Sequence, residues 1–179
     1  MQDQPDRDLL QRFAQGDREA FEALFRQFER EVYRWILRIV REPATAEDAL
    51  VEAFWRAYRG RARFDPSRSF GAWMRRIATN VAIDQLNAAR KHSGGRVPPS
   101  ALAVRGGPAG GFELRDDIRR AFMALPPKLR VVATLALIEE LPQQEIADAL
   151  DVPLGTVKSR LFRATRDLRE ELTRLGFQT

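Results

Sequence analysis

The chain has 179 residues, of which 44% are hydrophobic and 31% charged, enough for one or two small domains with their own cores. It has no Cys and a single His, His92. This composition excludes a disulfide framework, thiolate zinc sites, a thiol redox switch and His-rich metal sites, so we expect no metal and no cofactor. No apolar run approaches the roughly 18 residues of a membrane span. The acidic first residues lack the features of a signal peptide, so we expect a cytoplasmic protein without membrane insertion.

The first 92 residues are predicted to form a helical bundle. A short helix carries Leu9, Leu10 and Phe13. Asp17 is a suitable N-cap for the next helix, which repeats apolar residues every three or four positions. Residues 45–48 resemble a capping box that begins a third helix. A polar, Arg-rich turn over 60–69 then precedes a helix that Ser69 can cap, with Phe70 and Trp73 on its apolar face.

A break in composition separates this bundle from the rest of the chain. Nine of the 19 residues in 93–111 are Gly or Pro, and none is acidic. Such a segment cannot form a regular helix, so we predict a flexible linker. The predicted fold is therefore all-α, with two small helical domains at 1–92 and 112–179 joined by the 93–111 linker.

The second domain is predicted to contain helices near 112–124, 127–139, 142–150 and 154–174. Pro127 and Pro142 suit first-turn positions, which need no backbone N–H. Segment 141–161 has the pattern of a helix-turn-helix, with Ile146 and Leu150 buried in the first helix and Val157 and Leu161 in the second. The second helix exposes hydroxyl and basic side chains suited to a DNA major groove, namely Thr156, Lys158, Ser159, Arg160 and Arg163. An ordinary helical hairpin with a solvated basic face is the weaker interpretation.

The net charge of +5 is unevenly distributed along the chain. Residues 54–90 hold 8 basic and 2 acidic residues, and residues 154–169 hold 5 basic and 1 acidic. Two separate basic segments indicate a polyanion that is bound at two places, although charge alone fits two solvated helix faces equally well.

At this point nearly the whole chain resembles a bacterial RNA polymerase sigma factor of the extracytoplasmic-function (ECF) group, within the sigma-70 family. The resemblance covers roughly 8–90 and 113–174. In the second domain it depends on Ala124–Arg130, on Glu145–Ala147 and on Gly155–Leu161 with Arg163–Ala164. In the first domain it depends on Ala46–Ala49, on Phe70–Met74, and on Arg76–Ala78 followed by Asn80 and, four residues later, Asp84.

The resemblance implies three partners: core RNA polymerase, promoter DNA and the inhibitory anti-sigma factor that is common in the family. It implies polymerase binding by the helix at about 45–58, through Asp48, Glu52 and Phe54. This chain has Val51 where many members have Gln.

The resemblance also implies that the 60–69 loop and the following helix melt promoter DNA. We expect Arg61, Arg63 and Arg68 to line the loop and Phe64 to stack on a base. Arg75 and Arg76 are expected to contact phosphates, and Asn80 can read a base edge. For Phe70 and Trp73, core packing is the stronger interpretation. Asn87 stands where many members carry Arg.

Three functions compete on sequence grounds. The first is a sigma factor that binds core polymerase, recognises the upstream promoter element through the helix-turn-helix and melts the downstream element. The second is a stand-alone helix-turn-helix regulator with a helical sensor or interaction domain. The third, an enzyme, ranks far below, since no carboxylate pair, metal cluster or nucleophile motif is convincing and no phosphate-binding GxxxxGK[ST] occurs.

Overall fold

The computed structural model describes residues 5–92 and 112–177, and all regular structure within these ranges is helical. The predicted 93–111 linker lies outside the described residues. The predicted all-α fold class is confirmed. In chain order the α-helices of the described residues are α1 (Arg7–Gln15), α2 (Arg18–Val40), α3 (Pro43–Gly60), α4 (Phe70–His92), α5 (Phe112–Ala124), α6 (Pro127–Ala133), α7 (Gln143–Leu150) and α8 (Leu154–Arg174).

The chain separates into two compact units, 1–82 and 83–179. The dividing point lies inside α4. The sequence analysis instead ended the first domain at residue 92, where the composition changes.

Local capping explains where the helices of the first unit begin. The Asp17 carboxylate accepts hydrogen bonds from the N–H groups of Glu19 (2.8 Å) and Ala20 (3.2 Å), so the predicted cap of α2 is confirmed. Ser69 Oγ accepts from the N–H of Ala72 at the start of α4, as expected. The capping box predicted at 45–48 is wrong: α3 begins earlier, at Pro43, and the Glu42 carboxylate caps it.

The core of the first unit is rich in aromatic side chains. Phe13 of α1 packs edge-on against Phe70 of α4, with 5.4 Å between ring centroids. Trp73 borders the same cluster, and Leu24, Ile36 and Met74 are completely buried beside or below it. Packing of α1, α2 and α4 through these rings places the segment between α3 and α4 against the bundle.

In the second unit, one cluster of buried residues is formed by Ala121, Leu125, Ala133, Ala164 and Leu168. Pro127 occupies the first turn of α6, as predicted, whereas Pro142 is the residue just before α7. The helix predicted at 127–139 changes character at Thr134, where a π-helical segment, Thr134–Ile138, begins. Within the described residues, no helix is both long enough and apolar enough to cross a membrane.

Candidate nucleic-acid and protein interfaces

The helix-turn-helix is formed by α7, a short turn and α8. Asp151 ends α7 in the left-handed conformation, with φ 53°. The N–H of Val152 donates to the carbonyl of Ala147 (3.1 Å), which closes the turn tightly. Ile146 and Val157 are completely buried, as predicted, whereas Leu161, also predicted to be buried, is only half-buried. Ala147, 2% exposed, is small enough to allow α7 and α8 to cross closely.

The outer face of α8 carries the polar residues selected from the sequence. Lys158, Ser159 and Arg163 are exposed, and Thr156 and Arg160 are half-buried. Ser159 Oγ donates to the carbonyl of Thr156 (3.0 Å), so this hydroxyl is already oriented within the helix. The structure thus gathers all five residues on one helix that is accessible over its first turns.

Sequence reasoning missed Phe162. Its side chain is 71% exposed, the highest value among the large hydrophobic residues of the described chain. It lies between Lys158 and Arg166 on the exposed face of α8, at helical spacing of four residues from each. The available signal was its position: Phe162 falls outside the apolar stripe formed by Val157, Ala164 and Leu168.

The segment between α3 and α4 is a 3₁₀ turn, Arg61–Arg63, followed by a turn built on Asp65. One Asp65 carboxylate oxygen accepts from both Ser67 Oγ (2.7 Å) and Ser67 N–H (2.9 Å). These two hydrogen bonds lower the pKa of Asp65 below its ordinary value. The bond from the Ser67 hydroxyl has the largest effect, and the nearby charge of Arg68 has a smaller one. Arg63 and Arg68 are exposed on this segment, as a DNA-contacting loop requires.

Phe64 does not have the accessible position that the sequence analysis expected. Its side chain is only 5% exposed. Its ring packs against Trp73 (4.9 Å between centroids) and Phe70 (5.6 Å). The ring is therefore not placed to stack on a base in this structure, because burial in this cluster stabilises the fold more than exposure in a polar loop would. Phe64 instead holds the loop against the first turn of α4 by packing on Phe70 and Trp73. The core interpretation of Phe70, 1% exposed, is confirmed, whereas Trp73 is half-buried.

Arg61 is also turned inwards. Its guanidinium lies over the ring of Tyr58, 4.5 Å from the centroid, and Nη1 donates to the carbonyl of Tyr58 (2.9 Å). The side chain is half-buried. It therefore differs from Arg63 and Arg68, with which the sequence analysis grouped it.

Helix α4 is held in place by a buried hydrogen bond. Trp35 Nε1 of α2 donates to Thr79 Oγ1 of α4 at 2.9 Å. The Arg75 guanidinium lies 5.9 Å from the Trp35 ring centroid. Thr79 is completely buried, and the next residue, Asn80, is exposed. Arg76 precedes Asn80 by one helical turn, so these two predicted DNA contacts share a face of α4.

An open depression of about 310 Å³ lies beside the loop, lined by Pro5, Arg7, Leu10, Pro66 and Ser67. This volume is at the lower end of the ~300–1,000 Å³ range of small-ligand pockets. The sequence analysis assigned α1 a core role only, and nothing in its polar start indicated a pocket.

The outward face of α3 combines acidic and apolar side chains. Asp48 is exposed, and Glu52 Oε1 accepts from Arg56 Nε one turn later (2.7 Å). Phe54, which the sequence analysis placed among the polymerase-binding residues, is 2% exposed and packs on Phe25 (4.6 Å between centroids), so its ring lies in the core and not on this outward face. Val51 and Trp55 are the exposed large apolar residues here, and Trp55 was missed.

Comparison with known proteins follows the same division of the chain. Sigma-70 region 2 matches residues 24–92, and sigma-70 region 4 matches residues 115–168. The ECF RNA polymerase sigma factor SigW of Bacillus subtilis is 32% identical over 183 residues, covering 91% of this chain and 94% of SigW. The ECF RNA polymerase sigma-E factor of Escherichia coli K12 is 34% identical over 177 residues, which cover 89% of this chain and 90% of the sigma-E factor.

Among solved structures, CnrH in complex with the cytosolic domain of CnrY has a TM-score of 0.56 and 25% identity. It covers 94% of this chain and 97% of CnrH. A helical domain with α3 and α4 and a helix-turn-helix domain define a two-part DNA-binding protein. The chain belongs to the sigma-70 family and, within it, to the ECF sigma factors, which bind RNA polymerase and initiate transcription. A stand-alone regulator does not account for the region 2 match.

Proposed function

We propose that the work of initiation is divided among three surfaces of this chain. Helix α8 reads the upstream promoter element, α4 and the preceding loop open the downstream element, and the outward face of α3 binds core polymerase. The observation that carries this proposal is that each sigma-70 region coincides with helices presenting the matching side chains: Asn80 on α4 and the basic face of α8.

In the upstream element, Arg160 and Arg163 are suited to guanine edges or phosphates, and Lys158 and Ser159 to phosphates. Phe162 adds an apolar contact on the same exposed face. An exposed phenyl ring can pack on the C5-methyl group of thymine, which hydrogen-bonding side chains do not read. The upstream element is therefore expected to contain a thymine opposite Phe162.

Melting of the downstream element is driven by binding energy. Extruding one base costs a few kcal/mol, which a pocket for that base must offset. Since Phe64 is buried, we propose that the open depression lined by Arg7 and Ser67, and not the Phe64 ring, receives the base. Asn80 offers a donor and an acceptor to a base edge, and Arg63, Arg68, Arg75 and Arg76 hold the strand by its phosphates.

The proposed role needs no bond chemistry from the chain itself. Among residues 5–92 and 112–177, no group of three or more His, Cys, Asp and Glu side chains is placed to hold a metal ion. Promoter binding places the protein with the polymerase in the cytoplasm. The complex of CnrH with the cytosolic domain of CnrY supports a protein partner for this chain as well, which we propose to be an anti-sigma factor.

The decisive experiment is run-off transcription with purified core polymerase, the full chain and a randomised promoter library. We expect the chain to bind core and to select templates that share an upstream and a downstream element. Core polymerase that initiates no differently with the chain than without it would refute the proposed function.

Asn80→Ala tests the division between recognition and melting. We expect this variant to bind core as the wild type does, because Asn80 lies on α4 and not on α3. Thymines of the downstream element should become less reactive to permanganate in its open complexes. Ala88→Ser, on an exposed position two turns later on α4, is the matched control. Wild-type permanganate reactivity in N80A would remove Asn80 from the melting element.

A further inference from the structure

Helix α3 exposes two large apolar side chains in the middle of a charged face. Val51 is 67% exposed and Trp55 53% exposed. They are four residues apart and therefore adjacent on the helix, with Asp48 one turn before Val51 and Glu52 beside it. Exposed apolar residues rimmed by polar ones mark an interaction surface in soluble proteins.

The Trp55 side chain packs against other aromatic residues of the first unit. Its ring is stacked with that of Tyr58, with 6.3 Å between centroids and 22° between planes. Tyr58 in turn packs against Phe21 of α2 (5.0 Å) and lies under the Arg61 guanidinium. Residues 55, 58 and 61 thus form a ladder with a spacing of three residues.

Gly16 lies next to Arg61, the last residue of this ladder. It ends α1 with φ +94°, in the left-handed region that favours glycine. A Cβ at this position would lie 2.9 Å from Arg61 Nε. The absence of a side chain at Gly16 therefore leaves room for the Arg61 guanidinium to lie flat between α1 and Tyr58.

We propose that Trp55 is the anchor residue by which α3 binds core polymerase, and that Arg61 is a positioning residue that holds Trp55 through Tyr58. This inference rests on the proposed function and moves Arg61 from the melting element to the polymerase-binding surface. A fixed aromatic ring loses little conformational freedom on binding, and Trp and Tyr are enriched among residues that dominate interface energetics.

The charges around Trp55 define the chemistry of the partner surface. Asp48 and Glu52 flank the apolar pair, so the complementary surface is an apolar notch rimmed by Lys or Arg. An Arg at that rim can also lie on the face of the Trp55 ring. Val51, 67% exposed, extends the apolar part of this contact.

The first test measures equilibrium affinity for core polymerase without DNA, by competition with labelled wild-type chain. Trp55→Ala should weaken binding about tenfold or more, and Arg61→Ala by about three- to fivefold. Arg63→Ala, two residues away on the same 3₁₀ turn but exposed, is the matched control and should remain within about twofold. Arg61→Lys should not restore affinity, because Lys keeps the charge but lacks the planar guanidinium.

The second test measures permanganate reactivity at saturating core polymerase. Arg61→Ala should melt the promoter like the wild type, and Arg63→Ala should melt it less. Urea unfolding of each variant checks that it is folded. If R61A is destabilised, the core affinities of W55A and R61K test the proposal instead, since Trp55 is mostly exposed and its replacement should leave the fold intact.

The outcomes separate the two proposals. If the wild type binds core and W55A binds equally well, the anchor is refuted while the proposed function stands. If R61A binds core normally but melts poorly, Arg61 belongs to the melting element after all. Absence of core binding by the wild type itself would refute the proposed function.

Discussion

Thr79→Val tests how strongly one buried hydrogen bond holds α4 on α2. Thr79 Oγ1 accepts from Trp35 Nε1 (2.9 Å) and donates to the carbonyl of Arg75 (2.7 Å). Valine matches threonine in shape but has no polar atom. Trp35 is only 4% exposed, so its indole N–H loses its partner in a place that water does not readily reach.

The expected cost follows from this stranded donor. A buried donor without an acceptor costs about 1–3 kcal/mol. Loss of the bond to the Arg75 carbonyl adds little, since such bonds from a Thr to the preceding helical turn are weakly destabilising in themselves. We therefore expect T79V to lower the free energy of unfolding of the first unit by about 1–3 kcal/mol.

Trp35→Phe separates this penalty from ordinary packing loss. It removes the donor together with part of the ring, so no N–H is stranded. In the double variant W35F/T79V, the loss should be smaller than the sum of the single losses by about 1 kcal/mol or more, since contacting residues couple. Thr165→Val is the matched control, because Thr165 Oγ1 also donates to the carbonyl four residues before it, Leu161, at 3.0 Å.

The assay is urea unfolding followed by far-UV circular dichroism, because the Trp35 variants alter fluorescence directly. Thr165 is half-buried, and T165V should change the free energy of unfolding by less than about 0.5 kcal/mol, since it removes only weak hydrogen bonds to the preceding helical turn. An unchanged urea midpoint for T79V, or losses for W35F and T79V that add within about 0.5 kcal/mol, would refute the reasoning.

Two further predictions concern DNA affinity and acid stability. Arg163→Ala should weaken binding to the upstream element. If Arg163 contacts a phosphate, the variant should also reduce the magnitude of the slope of log K against log salt concentration by about 0.9. Arg174→Ala, at the far end of α8, is the control and should leave the affinity and the slope unchanged. The N–H of Ala20 and then the Arg12 side chain lower the pKa of Asp17 below its ordinary value of 3.8. Asp17→Asn should therefore reduce stability at neutral pH, and its difference from the wild type should shrink as pH falls through that lowered pKa; a difference independent of pH in urea midpoints would contradict this.

Helix positions could be predicted from the sequence where a cap and an apolar stripe agree. Asp17 with the periodic apolar residues of α2 is such a case, and Ser69 with α4 is another. The start of α3 was misplaced because Glu42 is not among the preferred N-cap residues, although Pro43 at the first helical position was an available signal. The π-helical segment after Ala133 had no local signal, since it depends on how α6 packs.

The polar part of the candidate interfaces was also predictable. Charged and amide side chains on the outer face of an amphipathic helix usually stay exposed, as Lys158, Arg163 and Asn80 do, although Arg160 is half-buried. Arginines in a loop are less predictable, because a long side chain can fold back on its neighbours. Arg61 does so over Tyr58 and beside Gly16, whereas Arg63 is exposed, and the approach of Gly16 to Arg61 is not visible in the local sequence.

Aromatic residues were the least predictable, and the pattern of their burial explains why. A loop aromatic such as Phe64 gains free energy by joining Phe70 and Trp73 of the next helix and Phe13, which is distant in the sequence. Trp55 could have been identified by its register instead. The alanines of α3, at 46, 49, 53 and 57, are all completely buried and define a face that packs closely. Trp55 falls on the opposite face, where packing against the rest of the bundle cannot bury it, and it is 53% exposed.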